Sequence, residues 1–253
     1  MYYKISNGSV TLGANTILED INFYVKDNDK IGIVGRNGCG KTTLLKAITN
    51  EYTLSDGYDD LKIESSNDFK IGYVKQNITD NLNMKMIDYI KESNSDILEI
   101  ENKLNSLEQK LSSSYSEQIL TKYNDLQNEY IYKGGNTYKK EYEIALKKFW
   151  FTDIDKEKLL NEFSGGQLTK LSLIRLLLSK PDLLILDEPT NHLDINSIEW
   201  LENYLKNYKK SIILVSHDRM FLDNICNIIY DIEYGELKRY VGNYSSFVKQ
   251  KEQ

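Results

Sequence analysis

The tightest constraint on this chain is an eight-residue stretch, Gly35-Arg36-Asn37-Gly38-Cys39-Gly40-Lys41-Thr42, which fits the pattern G-x-x-x-x-G-K-[ST]. An apolar run, Ile31-Gly32-Ile33-Val34, leads into it, and a helical pattern through Leu44-Leu45-Lys46 leads out. Three glycines let the backbone wrap a polyphosphate with several N–H groups turned inward, where a Cβ would obstruct. The helix that follows adds the positive end of its dipole to the same anion site. Lys41 is expected to reach the β- and γ-phosphates, and the Thr42 hydroxyl to ligate Mg²⁺, with Thr43 closing the loop. An ordinary Gly-rich turn between strand and helix is the plainer alternative, and both flanks weigh against it. The reading is a chain that binds a nucleoside triphosphate.

Composition narrows the class. The chain has 253 residues, enough for one large domain or a domain carrying an inserted subdomain, and 40% of them are hydrophobic. A net charge of −6 argues against a strongly basic, non-specific nucleic-acid binder, although a local basic face stays open. Cys39 and Cys226 are too few for a disulfide framework and too far apart for a metal site. Cys39 inside the phosphate loop implies a reducing compartment. No apolar run approaches the roughly 20 residues of a membrane span, and Met1 to Ser6 lacks a signal peptide's apolar stretch. The expectation is a soluble, cytoplasmic protein.

Along the chain, Ser9 to Leu12 and Ile21 to Val25 read as short strands, Lys30 to Val34 as the strand that delivers the loop, and Ile71 to Val74 as a buried strand. From Ser95 the texture changes. Ile97, Ile100, Leu104, Leu107 and Leu111 step by 3 and 4, as do Ile119, Tyr123, Leu126 and Tyr130, with Ser112-Ser113-Ser114 between the two series. Two narrow apolar seams joined by a Ser-rich turn predict an antiparallel helical hairpin projecting from the body. Surface helices lying on the body are the alternative. After Phe163, the uniformly apolar runs 183–186 and 211–215 predict parallel strands covered on both faces. A helix over 195–208 between them makes a βαβ unit, and 228–242 reads as a small hairpin before a terminal helix.

Asp187 and Glu188 stand at the carboxyl end of the first of those strands, where open α/β sheets place their ligands. An aspartate there can hold Mg²⁺, and a glutamate one residue on can act as general base toward water. Phe163-Ser164-Gly165-Gly166-Gln167, ahead of a helix expected to begin near Leu168, resembles the signature loop of ATP-binding-cassette (ABC) ATPases. Together with the phosphate loop, Gln76, Asp187-Glu188 and His217 in that order, it makes the chain similar to an ABC cassette over essentially its whole length. The resemblance implies an α/β fold of the ABC nucleotide-binding type, with an antiparallel β subdomain, a helical subdomain and the hairpin as an inserted arm. It divides 1–253 into 1–92 and 181–253 (ATP-binding core), 93–136 (arm) and 137–180 (helical and signature subdomain). It further implies ATP and Mg²⁺ as ligands, with Gln76 contacting Mg²⁺ and water and His217 contacting the γ-phosphate. Ser164, Gly165, Gly166 and Gln167 would cap the γ-phosphate of an ATP held by a second cassette, and Asp194 would lie in the loop facing that partner.

Finer wording, Asp187-Glu188-Pro189-Thr190-Asn191-His192-Leu193-Asp194, Ser216-His217-Asp218-Arg219-Met220-Phe221-Leu222 and Tyr240-Val241-Gly242-Asn243-Tyr244-Ser245, is similar to the ABC-F group. That group comprises soluble proteins with two cassettes in one polypeptide, acting on ribosomes as translation factors or in protection from ribosome-targeting antibiotics. The chain would then be a first cassette from a longer protein, partnered by a second cassette (of the same longer polypeptide, or in a homodimer) and by the ribosome. The alternative is the ATP-binding subunit of a membrane transporter; a DNA partner is disfavoured by the anionic charge. Two features depart from the pattern. Leu12-Gly13 falls where the family often has an aromatic residue that stacks on adenine, so stacking is weaker, comes from Tyr2 or Tyr3, or is absent, and base selectivity stays open. The arm is also acidic, with seven acids against four lysines from Ser95 to Lys133, which suits a basic ribosomal protein better than RNA phosphates.

Overall fold

Residues 2–74 and 82–253 are described here by a computed structural model. β1 (Tyr2–Leu12) and β2 (Asn15–Lys26) form one long antiparallel hairpin, not the short strands read from sequence. Register shifts between Ile5 and Gly8 and again up to Thr11 explain the difference. Each bulge interrupts the period-two pattern, so alternation persists only in pieces. β3 (Lys30–Gly35) feeds the phosphate loop, and α1 (Lys41–Ile48) leaves it. Two short strands, β4 (Ser55–Asp56) and β5 (Lys62–Ser65), complete the first sheet on the other side of β1.

The second sheet is built around β3. β6 (Ile71–Tyr73) lies at one edge, followed by β7 (Leu183–Asp187) and β8 (Ser211–Val215) beside β3. β9 (Ile228–Glu233) pairs with the other side of β3, and β10 (Glu236–Val241) forms the far edge. All neighbours are parallel except β9 and β10, which make the expected hairpin. β7 and β8 are buried along their length, as uniform apolarity requires. β6 is only half-buried, because as an edge strand it has β7 as its one neighbour. Ile31, Ile33, Leu44, Ile185, Ile213 and Tyr230 belong to one buried cluster beneath the loop.

Contacts divide the chain into two compact units, one holding Lys180–Gln253 with the chain up to Val74, the other running up to Ser179. The second unit is helical. It holds α2 (Met86–Lys91), the hairpin α3 (Ser95–Ser113) and α4 (Glu117–Tyr132), α5 (Gly135–Lys148) and α6 (Gly165–Ser179). Ile97, Ile100 and Leu104 are buried, whereas α4 buries no residue fully, so the seam is closed at its base and half-open toward Ser112. The first unit adds α7 (Ile195–Asn207), α8 (Arg219–Ile225) and α9 (Tyr244–Lys251), each begun by a side-chain cap: Asp194, Asp218 and Asn243. Among the described residues no helix is long and apolar enough to cross a membrane.

Candidate functional site

The phosphate loop is set by contacts that strand pairing supplies. At Gly35 φ is +147°, and an added Cβ would stand 2.6 Å from Cys39 Sγ and 2.7 Å from the Ile232 carbonyl oxygen. Gly40 begins α1 with left-handed geometry and lies over Leu18, whose Cδ2 would be 2.9 Å from a Cβ there. The Cys39 N–H donates to Arg36 O (3.2 Å), tightening the turn, and Arg36, Asn37 and Gly38 face solvent. Lys41 Nζ curls back to donate to Gly35 O (3.0 Å) and Arg36 O (3.1 Å). The ammonium is therefore held at the rim of the cradle, where a phosphate oxygen could replace either carbonyl.

β7 brings two acids to the same place. Asp187 Oδ2 accepts a hydrogen bond from the Thr42 hydroxyl at 3.2 Å. Burial holds Asp187 above the usual carboxylate range, against the Thr42 hydrogen bond and the nearby Lys41 and His217 charges, which pull it down. A carboxylate and a hydroxyl in contact, beside a phosphate cradle, suit Mg²⁺, which is held by one or two protein oxygens together with substrate phosphates. Glu188 has φ +48°, an uncommon backbone for a side chain of its size, and its N–H donates to Val215 O at 2.8 Å. That turn directs its carboxylate toward β8. Glu188 Oε2 accepts from the His217 backbone N–H at 3.2 Å, and Oε1 lies 3.4 Å from His217 Nε2. Oε1 is buried without a hydrogen-bond partner among the described residues. A buried carboxylate oxygen in that state is costly unless a ligand or water completes it.

Within the first unit the predicted residues thus form two contacts on adjacent positions of one strand end: Thr42 of the loop with Asp187, and Glu188 with His217. Asp194 is used locally, accepting from Ser197 N–H (3.0 Å) through one oxygen and from the Ser197 hydroxyl (2.8 Å) through the other. Gln76 lies outside the described residues. In the second unit, α6 begins at Gly165, three residues earlier than the sequence reading placed it. The cause is a reciprocal cap: Ser164 N–H donates to Gln167 Oε1 (2.9 Å), and Gln167 N–H donates to Ser164 Oγ (3.3 Å). A Cβ on Gly165 or Gly166 would meet nothing within 4 Å, so the start of this helix is open.

Of the two substitutes for the missing adenine-stacking residue, Tyr3 is ruled out. It is 4% exposed, stacks on Phe69 and donates its hydroxyl to Ile48 O. Tyr2 is at the opposite end of β1 from Leu12, about 30 Å away along an extended strand. Leu12 is 40% exposed and is the residue present at that end. Sequence reasoning missed Leu18, Val215 and Ile232, which shape the loop and the Glu188 turn. No local signal marks them, because sheet pairing brings Val215 and Ile232 near and packing against the loop brings Leu18.

A glycine cradle, a lysine at its rim, a hydroxyl–carboxylate pair and a second carboxylate against a histidine define a phosphate-loop nucleotide-binding domain. Residues 18–191 match the ABC transporter family, and the chain belongs to it. It is an ABC ATPase domain. The ATP-binding protein Uup of Haemophilus influenzae is 33% identical over 99% of this chain, which covers 38% of that protein. ABC transporter F family member 5 of Arabidopsis thaliana is 32% identical over 97% of the chain, which covers 36% of it. The chain therefore spans less than two fifths of the length of these relatives. A solved ATP-binding subunit of an ABC transporter aligns over all of the chain and 94% of its own length, with a TM-score of 0.71 and 18% identity, the same fold.

Proposed function

We propose that this cassette binds Mg²⁺-ATP in the cradle Gly35–Thr43 and hydrolyses it only when a second cassette closes over the nucleotide. Lys41 neutralises charge on the transferred phosphoryl group, Asp187 and Thr42 hold the cation with Gln76, and Glu188 accepts a proton from the attacking water. His217 keeps the Glu188 carboxylate in place and meets the γ-phosphate. Mg²⁺ supplies charge neutralisation between the phosphates when bound. Ser164, Gly165, Gly166 and Gln167 serve the partner's ATP, and Asp194 orders the loop facing the partner. The observation that carries the reading is the buried, unsatisfied Glu188 Oε1, with His217 Nε2 3.4 Å away. Such an oxygen is poised to receive a hydrogen bond from water.

The partner machinery is, in this reading, the ribosome, and the compartment the cytoplasm. The F-family relatives and the hairpin α3–α4 support it, the hairpin acting as a projecting arm. Glu188→Gln is expected to retain ATP binding and lower turnover at least 100-fold, measured by phosphate release. In the presence of ATP it is expected to co-sediment with ribosomes. Unchanged turnover removes Glu188 from the general-base role. Association with membranes in place of ribosomes would favour a transporter subunit, and association with free DNA a DNA-directed ATPase.

A further inference from the structure

α7 carries two parallel stripes. Ser197, Leu201 and Leu205 are its buried residues and meet the needs of the core. One residue before each of the two leucines, and again before Lys209, stands an aromatic ring: Trp200, Tyr204 and Tyr208. Their centroids are 5.4 Å and 6.0 Å apart, with ring planes tilted by 32° and 35°. A step of one residue turns about 100° around a helix, so the ladder lies beside the leucine stripe, with buried Tyr208 at the helix C-cap. Trp200 and Tyr204 are half-buried and line a groove of about 470 Å³. The groove is at the amino end of β8, one strand length (about 15 Å) from the carboxyl end that carries the phosphate site.

The floor is rigid. Tyr208 donates its hydroxyl to Pro181 O, and the buried Lys30 ammonium donates to Tyr208 O and Lys210 O at 2.6 Å. The rim is cationic in a chain of net charge −6. Lys210 pairs with Asp182 at 2.8 Å, and Lys180 and Lys209 line the same groove with exposed side chains. Asn203 also lines the groove.

We propose that this groove binds an unpaired stretch of single-stranded nucleic acid, one base stacking on Trp200 and Tyr204 and the adjoining phosphates lying by Lys180 and Lys209. Flat π faces at a fixed spacing take any base, and a lysine fringe takes the backbone; the combination is the platform-and-fringe arrangement of sequence-tolerant strand binding. An acidic peptide would use the lysines and leave the ladder without a role, and an apolar helix would use the rings and leave the lysines without one.

The test uses the full chain carrying Trp150→Phe, so that Trp200 is the only tryptophan, with a non-hydrolysable ATP analogue saturating the phosphate site. A uridylate hexamer is expected to quench Trp200 fluorescence saturably. Tyr204→Ala should weaken binding about tenfold or more, and Tyr204→Phe, which keeps the ring, should restore it. Lys209→Gln should lower the slope of log affinity against log salt by about one. The proposal is overturned if the hexamer does not quench. It is equally overturned if Tyr204→Ala binds like the parent, if UMP binds as tightly as the hexamer, or if a hexaglutamate peptide alone binds.

Discussion

Gly35 and Gly38 belong to the same motif but carry different physical loads. Both have positive φ, at +147° and +78°. A methyl at Gly38 would meet nothing within 4 Å, so Gly38→Ala pays only the left-handed backbone cost of about 1 kcal/mol. A methyl at Gly35 would drive into Ile232 O, a backbone atom of β9 that cannot rotate away. Scanning calorimetry is expected to show Gly38→Ala lowering Tm by about 2–4 °C and Gly35→Ala by more than twice that. Equal shifts would mean that the loop relaxes around Gly35. Glu188 shows a related economy, since its left-handed backbone and orphaned oxygen occur together at the position proposed to receive water.

Among the elements, the hairpin α3–α4 depends on one carboxylate. Glu101 on α3 accepts from the Tyr130 hydroxyl of α4 (2.7 Å) and the Tyr138 hydroxyl of α5 (2.8 Å), and pairs with Lys139 at 2.9 Å. The turn between α4 and α5 is so close that a Cβ on Gly135 would fall 2.4 Å from the Tyr130 ring. Burial raises the Glu101 carboxyl, but Lys139 and the two tyrosines more than offset it and hold it below the usual glutamate range. A lowered folded-state value means stability that is present above the ordinary glutamate pKa and lost as pH falls through the lowered one. Amide protection factors over 95–132, taken relative to intrinsic exchange at each pH, should therefore fall on acidification below the ordinary glutamate range. Glu101→Gln should cost about tenfold in protection at neutral pH and flatten that acid dependence. Unaltered exchange in the variant would show that the seam leucines hold the hairpin alone.

For the molecule as a whole, the proposed pairing would set a second cassette against the open start of α6 and the exposed phosphate loop. Turnover per molecule is expected to rise with protein concentration. Light scattering should find Glu188→Gln with ATP at twice the 29.4 kDa chain mass. Turnover independent of dilution, by a species of single mass, would overturn the pairing mechanism.

The local motifs were legible in sequence because each is a short run of residues whose spacing is its chemistry. The Gly-rich loop, the apolar strand ending in Asp187-Glu188 and the two heptad-like seams are of this kind, whereas the reciprocal Ser164–Gln167 cap was not legible there and moved the start of α6. Pairing decided the rest. Bulges hid the length of β1 and β2, and an edge position left β6 half-buried. Nothing in the order of residues announces that Ile232 closes the cradle beneath Gly35, or that Val215 holds Glu188 in its turn. Those contacts join residues far apart in the chain, and only the assembled sheet selects which distant backbone oxygen lies against each one.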